Sequence, residues 1–180
     1  MNNENYLEVT QQIYEEFEQI KQILIEDEDF LFDDLTEKLQ KINVCFGSYH
    51  DKLVIALAYY DNNTVMFTKN GLDTKRRTII HELAHHLCYL SNSQGDSGAH
   101  CLEFAIINYV LQRKYSERVN DYKHCYFKAY DIHQDKIYSS LKINISEFDN
   151  MIRTIEYSNL TDLCNTAKRL AKRIRIKSTQ

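Results

Sequence analysis

The sequence predicts an α+β protein in which N-terminal helices precede a short antiparallel β-meander, a histidine-bearing helix packs on that meander, and a helical extension follows. Three observations predict this fold. Apolar residues recur at helical spacing near the N-terminus, and three short segments between residues 42 and 70 are rich in β-branched and aromatic residues. The 180 residues also contain no proline and only four glycines. Together these features favour a mainly helical chain with one small sheet.

The first helix is predicted between Tyr6 and Ile25. Its apolar residues recur every three or four positions, as one buried face of a helix requires. They are Val9, Ile13, Phe17, Ile20 and Leu24. The acidic segment Glu26–Asp29 interrupts this pattern, and the stretch from Phe30 to Ile42 is a second candidate helix.

Three strands are predicted next, at residues 42–49, 52–60 and 64–70. Each segment is short, and turn-like polar residues separate it from its neighbour. This arrangement predicts an antiparallel meander.

The second half of the chain reads as helical. A helix is predicted from Lys75 to Tyr89, a polar loop with two glycines at residues 92–98, and a further helix from Ser97 to Lys114. Two more helices are predicted to start at Ser146 and Thr161, because each places a capping hydroxyl before an acidic residue.

Composition argues against several classes of protein. No stretch approaches the roughly 20 apolar residues of a membrane span. The N-terminal MNNENYLEVT has neither the basic start nor the apolar run of a secretory signal. We therefore expect a cytoplasmic protein without a membrane partner.

The five cysteines are odd in number, widely spaced and without a C-x-x-C pair, which argues against a zinc ribbon or a disulfide framework. Most are expected to be buried apolar side chains.

The segment from Thr78 to Phe104 contains four of the seven histidines and the motif H-E-x-x-H at His81, Glu82 and His85. Residues four apart share one face of a helix, so His81 and His85 can direct imidazole nitrogens at one metal ion. Glu82 lies beside them, where its carboxylate can reach a water molecule on that ion. The motif predicts a metal site with Glu82 as its catalytic residue.

A catalytic zinc site needs a third protein ligand and one open position. His100 is the favoured candidate, because it follows the glycine-bearing loop and opens the next helix. Glu103, one turn later, and Asp96, in the loop, are the alternatives. His86 points about 100° away from His85 around the helix, so we expect it either to support the metal ligands from behind or to make packing contacts.

The segments RRTIIHELAHHL and GAHCLEF, with the strands before them, resemble the zincin metallopeptidases. Among these, residues 40–115 are similar to the SprT-like (Spartan-type) family, whose third zinc-binding histidine precedes an aromatic residue by four positions, as His100 precedes Phe104. We predict a zincin-like domain with N-terminal helices over residues 1–118, a helical C-terminal extension that ends in a basic helix over residues 119–180, and one Zn²⁺ per chain. The resemblance itself implies a zinc-dependent peptidase. It also implies hydrolysis of protein substrates, with Glu82 as the general base.

The segments HELAHHL and EFA are also similar to the ImmA/IrrE-type peptidases, which cleave bacterial regulators. That family uses an acidic third ligand on the helix after the motif, a place that Glu103 approximates. The resemblance implies a regulatory peptidase that acts on a repressor. Two more functions are compatible with the motif, namely a zinc hydrolase with a non-peptide substrate and a zincin scaffold that binds a partner without turnover.

The C-terminal twenty residues carry six Lys or Arg and one Asp, whereas residues 1–40 carry twelve Asp or Glu and two Lys. The cationic residues that could contact nucleic acid are Lys168, Arg169, Lys172 and Arg173. Packing of this helix through its apolar stripe, with the charges in solvent, is the favoured interpretation.

Overall fold

The computed structural model describes residues 3–26, 30–50, 54–68, 76–93, 100–120 and 150–178. These residues form a mixed α+β structure that is mostly helical and contains one three-stranded sheet. The longer elements, in chain order, are α1 (Asn3–Ile25), α2 (Asp34–Gln40), β1 (Asn43–Gly47), β2 (Ala56–Tyr59), β3 (Thr64–Thr68), α3 (Arg76–Leu90), α4 (Leu102–Val119) and α5 (Leu160–Ser178). A 3₁₀ helix, Tyr60–Asn62, joins β2 to β3.

The predicted helices α1 and α3 are confirmed to within a few residues. The second predicted helix was too long, because the helix begins only after Asp33, which caps it. The helix predicted to start near Ser97 and to reach about Lys114 is confirmed, but its two predicted ends are wrong. Cys101 is the N-cap of α4, and the helix continues to Val119. His100 therefore precedes the helix.

The sheet order is β1-β3-β2, so the predicted antiparallel meander is wrong. β3 lies in the centre, parallel to β1 and antiparallel to β2. Burial explains the order, because Val65 and Phe67 of β3 are fully buried whereas β1 and β2 are partly exposed. The most deeply buried strand, β3, therefore takes the central position, where it pairs with a neighbouring strand on each side.

One continuous hydrophobic core joins the sheet to the four longest helices. Its largest fully buried side chains include Phe17 and Ile20 of α1, Phe67 of β3, Leu83 of α3 and Phe104 of α4. The last helix contributes Leu160, Leu163, Ala167, Ala171 and Ile174 to the same core. Its predicted apolar stripe is confirmed at Leu163, Ala167 and Ile174, whereas the fourth residue of the stripe, Leu170, is partly buried. The proposed domain boundary after residue 118 stays a prediction. Among the helices described, none has the length and apolar character to cross a membrane.

The start of α5 differs from the prediction at its cap. The helix begins at Leu160, and the Asn159 side chain accepts the backbone N–H of Asp162 at 2.8 Å, so Asn159 rather than Thr161 is the capping residue. The predicted helix start at Ser146 lies outside the described residues, although residues 150–153 are helical.

Asp33 stabilises the beginnings of two helices at once. Its Oδ1 accepts hydrogen bonds from the backbone N–H (2.8 Å) and the hydroxyl (2.6 Å) of Thr36 in α2. Its Oδ2 accepts the backbone N–H of Thr161 in α5 at 2.8 Å. Burial raises the pKa of this carboxyl, but the hydrogen bonds from Thr161 and Thr36 outweigh burial and hold the pKa below its usual value.

Replacement of Asp33 by alanine should lower the free energy of unfolding by about 1–2 kcal/mol, because each lost cap costs on the order of 1 kcal/mol. The folded-state pKa is depressed, so the carboxylate contributes stability above its unfolded pKa and loses that contribution as pH falls through the folded pKa. Urea unfolding of wild type and Asp33→Ala should therefore differ most at neutral pH and converge below about pH 4. A difference that is constant from pH 7 to pH 3 would contradict this role.

Candidate metal centre

The structure brings three histidines together at the contact between α3 and the beginning of α4. The Nε2 atom of His85 lies 3.1 Å from that of His81 and 3.1 Å from that of His100, and the third side of the triangle is 3.3 Å. The group could hold a metal ion, and among the residues that the structure describes it is the one cluster with metal-ligand geometry. His100 joins the two motif histidines, as the sequence predicted.

The spacing of the three nitrogens fits a tetrahedral zinc ion. Ligands at about 2.0–2.1 Å from zinc in tetrahedral directions are roughly 3.3–3.4 Å apart. The three measured separations, 3.1, 3.1 and 3.3 Å, lie at or just below this value.

Hydrogen bonding among the three imidazoles cannot account for the triangle. A protonated ring nitrogen has no lone pair with which to accept, so at least one of the three contacts must join two donors or two acceptors. A cation that accepts the lone pairs of the three Nε2 atoms satisfies all three of these atoms. The donor set present therefore fits a metal ion.

Phe104 forms the wall against which the histidines pack. Its ring stacks on His85, with centroids 4.1 Å apart and planes inclined by 17°. It meets His81 and His100 edge to face, at 4.9 and 5.1 Å. Since Phe104 is 1% exposed, these contacts restrict the ring orientations of all three histidines.

Glu82 lies on α3 between the two motif histidines and is 6% exposed. Burial of a carboxylate is costly unless it is paired, hydrogen-bonded or close to a cation. Glu82 is thus a buried carboxylate on the helix that carries two of the three clustered histidines.

Tyr60, His86 and Tyr89 form a cluster of aromatic rings on α3 next to the face that carries His81 and His85. His86 is fully buried, and its Nε2–H donates to the carbonyl oxygen of Thr64 at 3.2 Å. Burial lowers the pKa of His86, against the opposing effect of this hydrogen bond. The ring of Tyr60 meets His86 edge to face at 5.5 Å and stacks on Tyr89 at 4.5 Å. His86 thus makes packing contacts, as expected, whereas Tyr60 was not singled out from the sequence.

Glu103, the alternative third ligand, is bound by Arg175 of α5. Both carboxylate oxygens accept from the guanidinium, at 2.6 Å each, and Glu103 is 6% exposed. Burial raises the pKa of Glu103, but hydrogen bonds from Arg175 and its charge hold the pKa below its usual value. The carboxylate is not part of the three-histidine group. Asp96, the candidate ligand in the loop, lies outside the described residues.

The cationic residues proposed for nucleic-acid contact have different environments. The ammonium group of Lys168 donates to the carbonyl oxygen of Ser91, just after α3, at 2.7 Å. Arg169, Lys172 and Arg173 are exposed on α5. Contact with nucleic acid stays a prediction for all four residues, of which Lys168 and Arg169 also donate hydrogen bonds within the chain.

Three of the four cysteines within the described residues are buried, as expected for apolar side chains. Cys88, Cys101 and Cys164 are buried, whereas Cys45 is exposed. Burial raises the pKa of Cys88 well above its ordinary value. Such thiols stay protonated and fill space in the core.

No family model, curated protein or solved structure matches this chain.

The histidine cluster predicts a metal content that depends on His100. Protein purified without chelator should contain close to one zinc per chain, and His100→Ala should lose most of it, because two imidazoles bind far more weakly than three. Elemental analysis measures this directly. His50, an exposed histidine outside the cluster, provides the matched control, and His50→Ala should retain the metal. Full zinc in His100→Ala together with loss in Glu103→Ala would show that the carboxylate is the ligand.

The pair formed by Glu103 and Arg175 should stabilise the fold. Arg175→Met leaves a buried carboxylate without its partner, which costs about 1–3 kcal/mol. This cost is smaller than that of breaking a fully buried ion pair, because the Arg175 side chain is 39% exposed and solvent screens its charge.

Urea unfolding of Arg175→Met, with exposed Arg173→Met as control, measures this cost. The double variant Glu103→Gln, Arg175→Met should recover part of it, because no charge then remains buried. Equal destabilisation by Arg175→Met and Arg173→Met would refute the pair's contribution.

Proposed function

We propose that the protein is a zinc-dependent peptidase with a zincin-like fold, which hydrolyses peptide bonds in protein substrates and uses Glu82 as the general base. The observation that carries this proposal is the triangle of Nε2 atoms from His81, His85 and His100, 3.1–3.3 Å on a side. The buried carboxylate of Glu82, on the same helix as two of these histidines, supplies the base that hydrolysis requires in addition to the metal ion.

The donor set supports zinc as the metal. Imidazole nitrogen suits zinc, copper, iron and nickel, whereas calcium and magnesium prefer oxygen ligands. A set of three protein ligands is also the form that catalytic zinc sites take, since structural sites are closed by four. The three histidines would hold the ion.

The hydrolytic chemistry divides between the ion and the chain. When bound, zinc acts as a Lewis acid on a carbonyl oxygen and brings the pKa of coordinated water to about 7. Glu82 takes the proton of the attacking water and later delivers it to the leaving amine. Because Glu82 is buried, its side chain has little contact with bulk water that could compete for this proton.

The bonding of Glu103 supports the SprT-like alternative over the ImmA/IrrE-type one. The acidic third ligand of the latter would have to come from a residue such as Glu103, whose two oxygens are bound by Arg175. His100 supplies a third imidazole in its place. We therefore propose a ligand set of three histidines.

Glu82→Gln should abolish peptidase activity and leave zinc content and folding unchanged. The amide is nearly the same size as the carboxylate but cannot accept a proton, and loss of a general base typically costs about 10²–10⁴-fold in rate. The measurement is the rate of cleavage of fluorescently labelled, denatured casein by zinc-loaded protein. Glu156→Gln, at an exposed site, is the control and should match wild type.

Two outcomes would contradict the proposal. Equal rates for wild type and Glu82→Gln would remove Glu82 from the reaction. Zinc-loaded wild type that cleaves no protein substrate would instead favour a scaffold that binds a partner without turnover.

A further inference from the structure

Tyr60 is fixed against α3 by contacts of its ring and within its turn by backbone hydrogen bonds. It follows the edge strand β2 and begins the 3₁₀ helix. Its carbonyl oxygen accepts the N–H of Asn63 at 3.2 Å, and the Asn63 carbonyl accepts the N–H of Asn43 at 2.8 Å. Asn63 takes a left-handed conformation with φ of 49°. The turn that presents Tyr60 is thereby tied to β1 as well as to β2.

The ring of Tyr60 packs on the face of α3 that carries the proposed base. Glu82, His86 and Tyr89 are spaced by four and three residues, which places them along one face of the helix. Tyr60 stacks on Tyr89 at an interplanar angle of 8° and meets His86 at 80°. These two contacts fix the ring on α3 one to two turns after Glu82. The side chain itself is half-buried.

The hydroxyl of Tyr60 has the character of a permanent hydrogen-bond donor. Burial, together with the nearby charge of Glu82, raises its pKa to about 12. The phenol therefore keeps its proton at any pH at which a peptidase would work. An O–H group held by ring contacts needs little reorganisation when charge develops next to it, which is the condition for electrostatic stabilisation of a transition state.

We propose that Tyr60 is a catalytic residue of this site and that its hydroxyl donates a hydrogen bond to the carbonyl oxygen of the scissile peptide bond. The inference rests on the proposed peptidase activity. As the water oxygen bonds to the carbonyl carbon, its proton moves to Glu82 and the π electron pair moves to the carbonyl oxygen. Tyr60 stabilises this negative oxygen without giving up its own proton. The C–N bond then breaks, and Glu82 returns the proton to the amine.

Tyr60→Phe tests the inference, because phenylalanine keeps both ring contacts and removes only the hydroxyl. The neighbouring Tyr59, on β2 and 40% exposed, provides the matched control. Zinc-loaded Tyr60→Phe should show a kcat lower by roughly 10²–10³-fold, as for loss of an oxyanion donor, with KM, zinc content and thermal unfolding unchanged. Tyr59→Phe should match wild type in every measurement.

A second readout does not depend on turnover. A phosphinic peptide mimics the negative tetrahedral carbon of the transition state, and transition-state analogues gain affinity from interactions that form only there. Calorimetry should show that Tyr60→Phe weakens binding of this peptide by a factor similar to the loss in kcat. Binding of the product peptides should stay unchanged.

The contrary results separate the inference from the function on which it rests. If wild type cleaves casein and Tyr60→Phe keeps its kcat within about twofold, Tyr60 has no such role and the peptidase proposal stands. An increase in KM alone, or loss of zinc or of folding in Tyr60→Phe, would equally overturn it. If zinc-loaded wild type neither cleaves protein nor binds the phosphinic peptide, the proposed function fails, and this inference fails with it.

Discussion

The packing of Phe104 against the histidines is the contact on which the candidate site depends. His81 and His85 are placed by the spacing of a single helix, but His100 precedes α4 and has no helical neighbour to direct it. Phe104 is in the first turn of α4, is buried, and stacks on His85 at 4.1 Å. This contact joins the two helices and brings the third imidazole to the other two. The metal-ligand geometry is thus a consequence of core packing.

The two buried carboxylates near this contact have different partners, which suggests different roles. Glu103 is bound at both oxygens by Arg175, so it joins α4 to the last helix and is held ionised. Glu82 lies on the helix of the two motif histidines, and its charge acts on Tyr60. We assign the proposed catalytic proton transfer to Glu82 and a stabilising role to Glu103. The C-terminal helix then supports the site through Arg175 as well as through its apolar stripe.

Local sequence patterns predicted those parts of the fold and site that depend on local spacing. The apolar spacing that predicted α1 and α3 follows from 3.6 residues per helical turn. The same geometry places the two histidines of the motif on one face of α3. The sheet order could not be derived in this way, because a strand pattern shows which side chains face inward and not which strand is the neighbour. The contact between Glu103 and Arg175 joins residues 72 positions apart. Tyr60 reaches α3 through the fold of the sheet, and one tyrosine among thirteen carries no local signal.

We propose that three histidines and no carboxylate from the chain hold the ion. Anomalous diffraction at the zinc absorption edge, from crystals of the zinc-loaded protein, tests it most directly. The account predicts one strong peak per chain at about 2.0–2.1 Å from the Nε2 atoms of His81, His85 and His100. The fourth coordination position of the ion would be open to solvent, and Glu103 would remain hydrogen-bonded to Arg175. A peak bound by the Glu103 carboxylate, or a peak elsewhere in the molecule, would contradict the account.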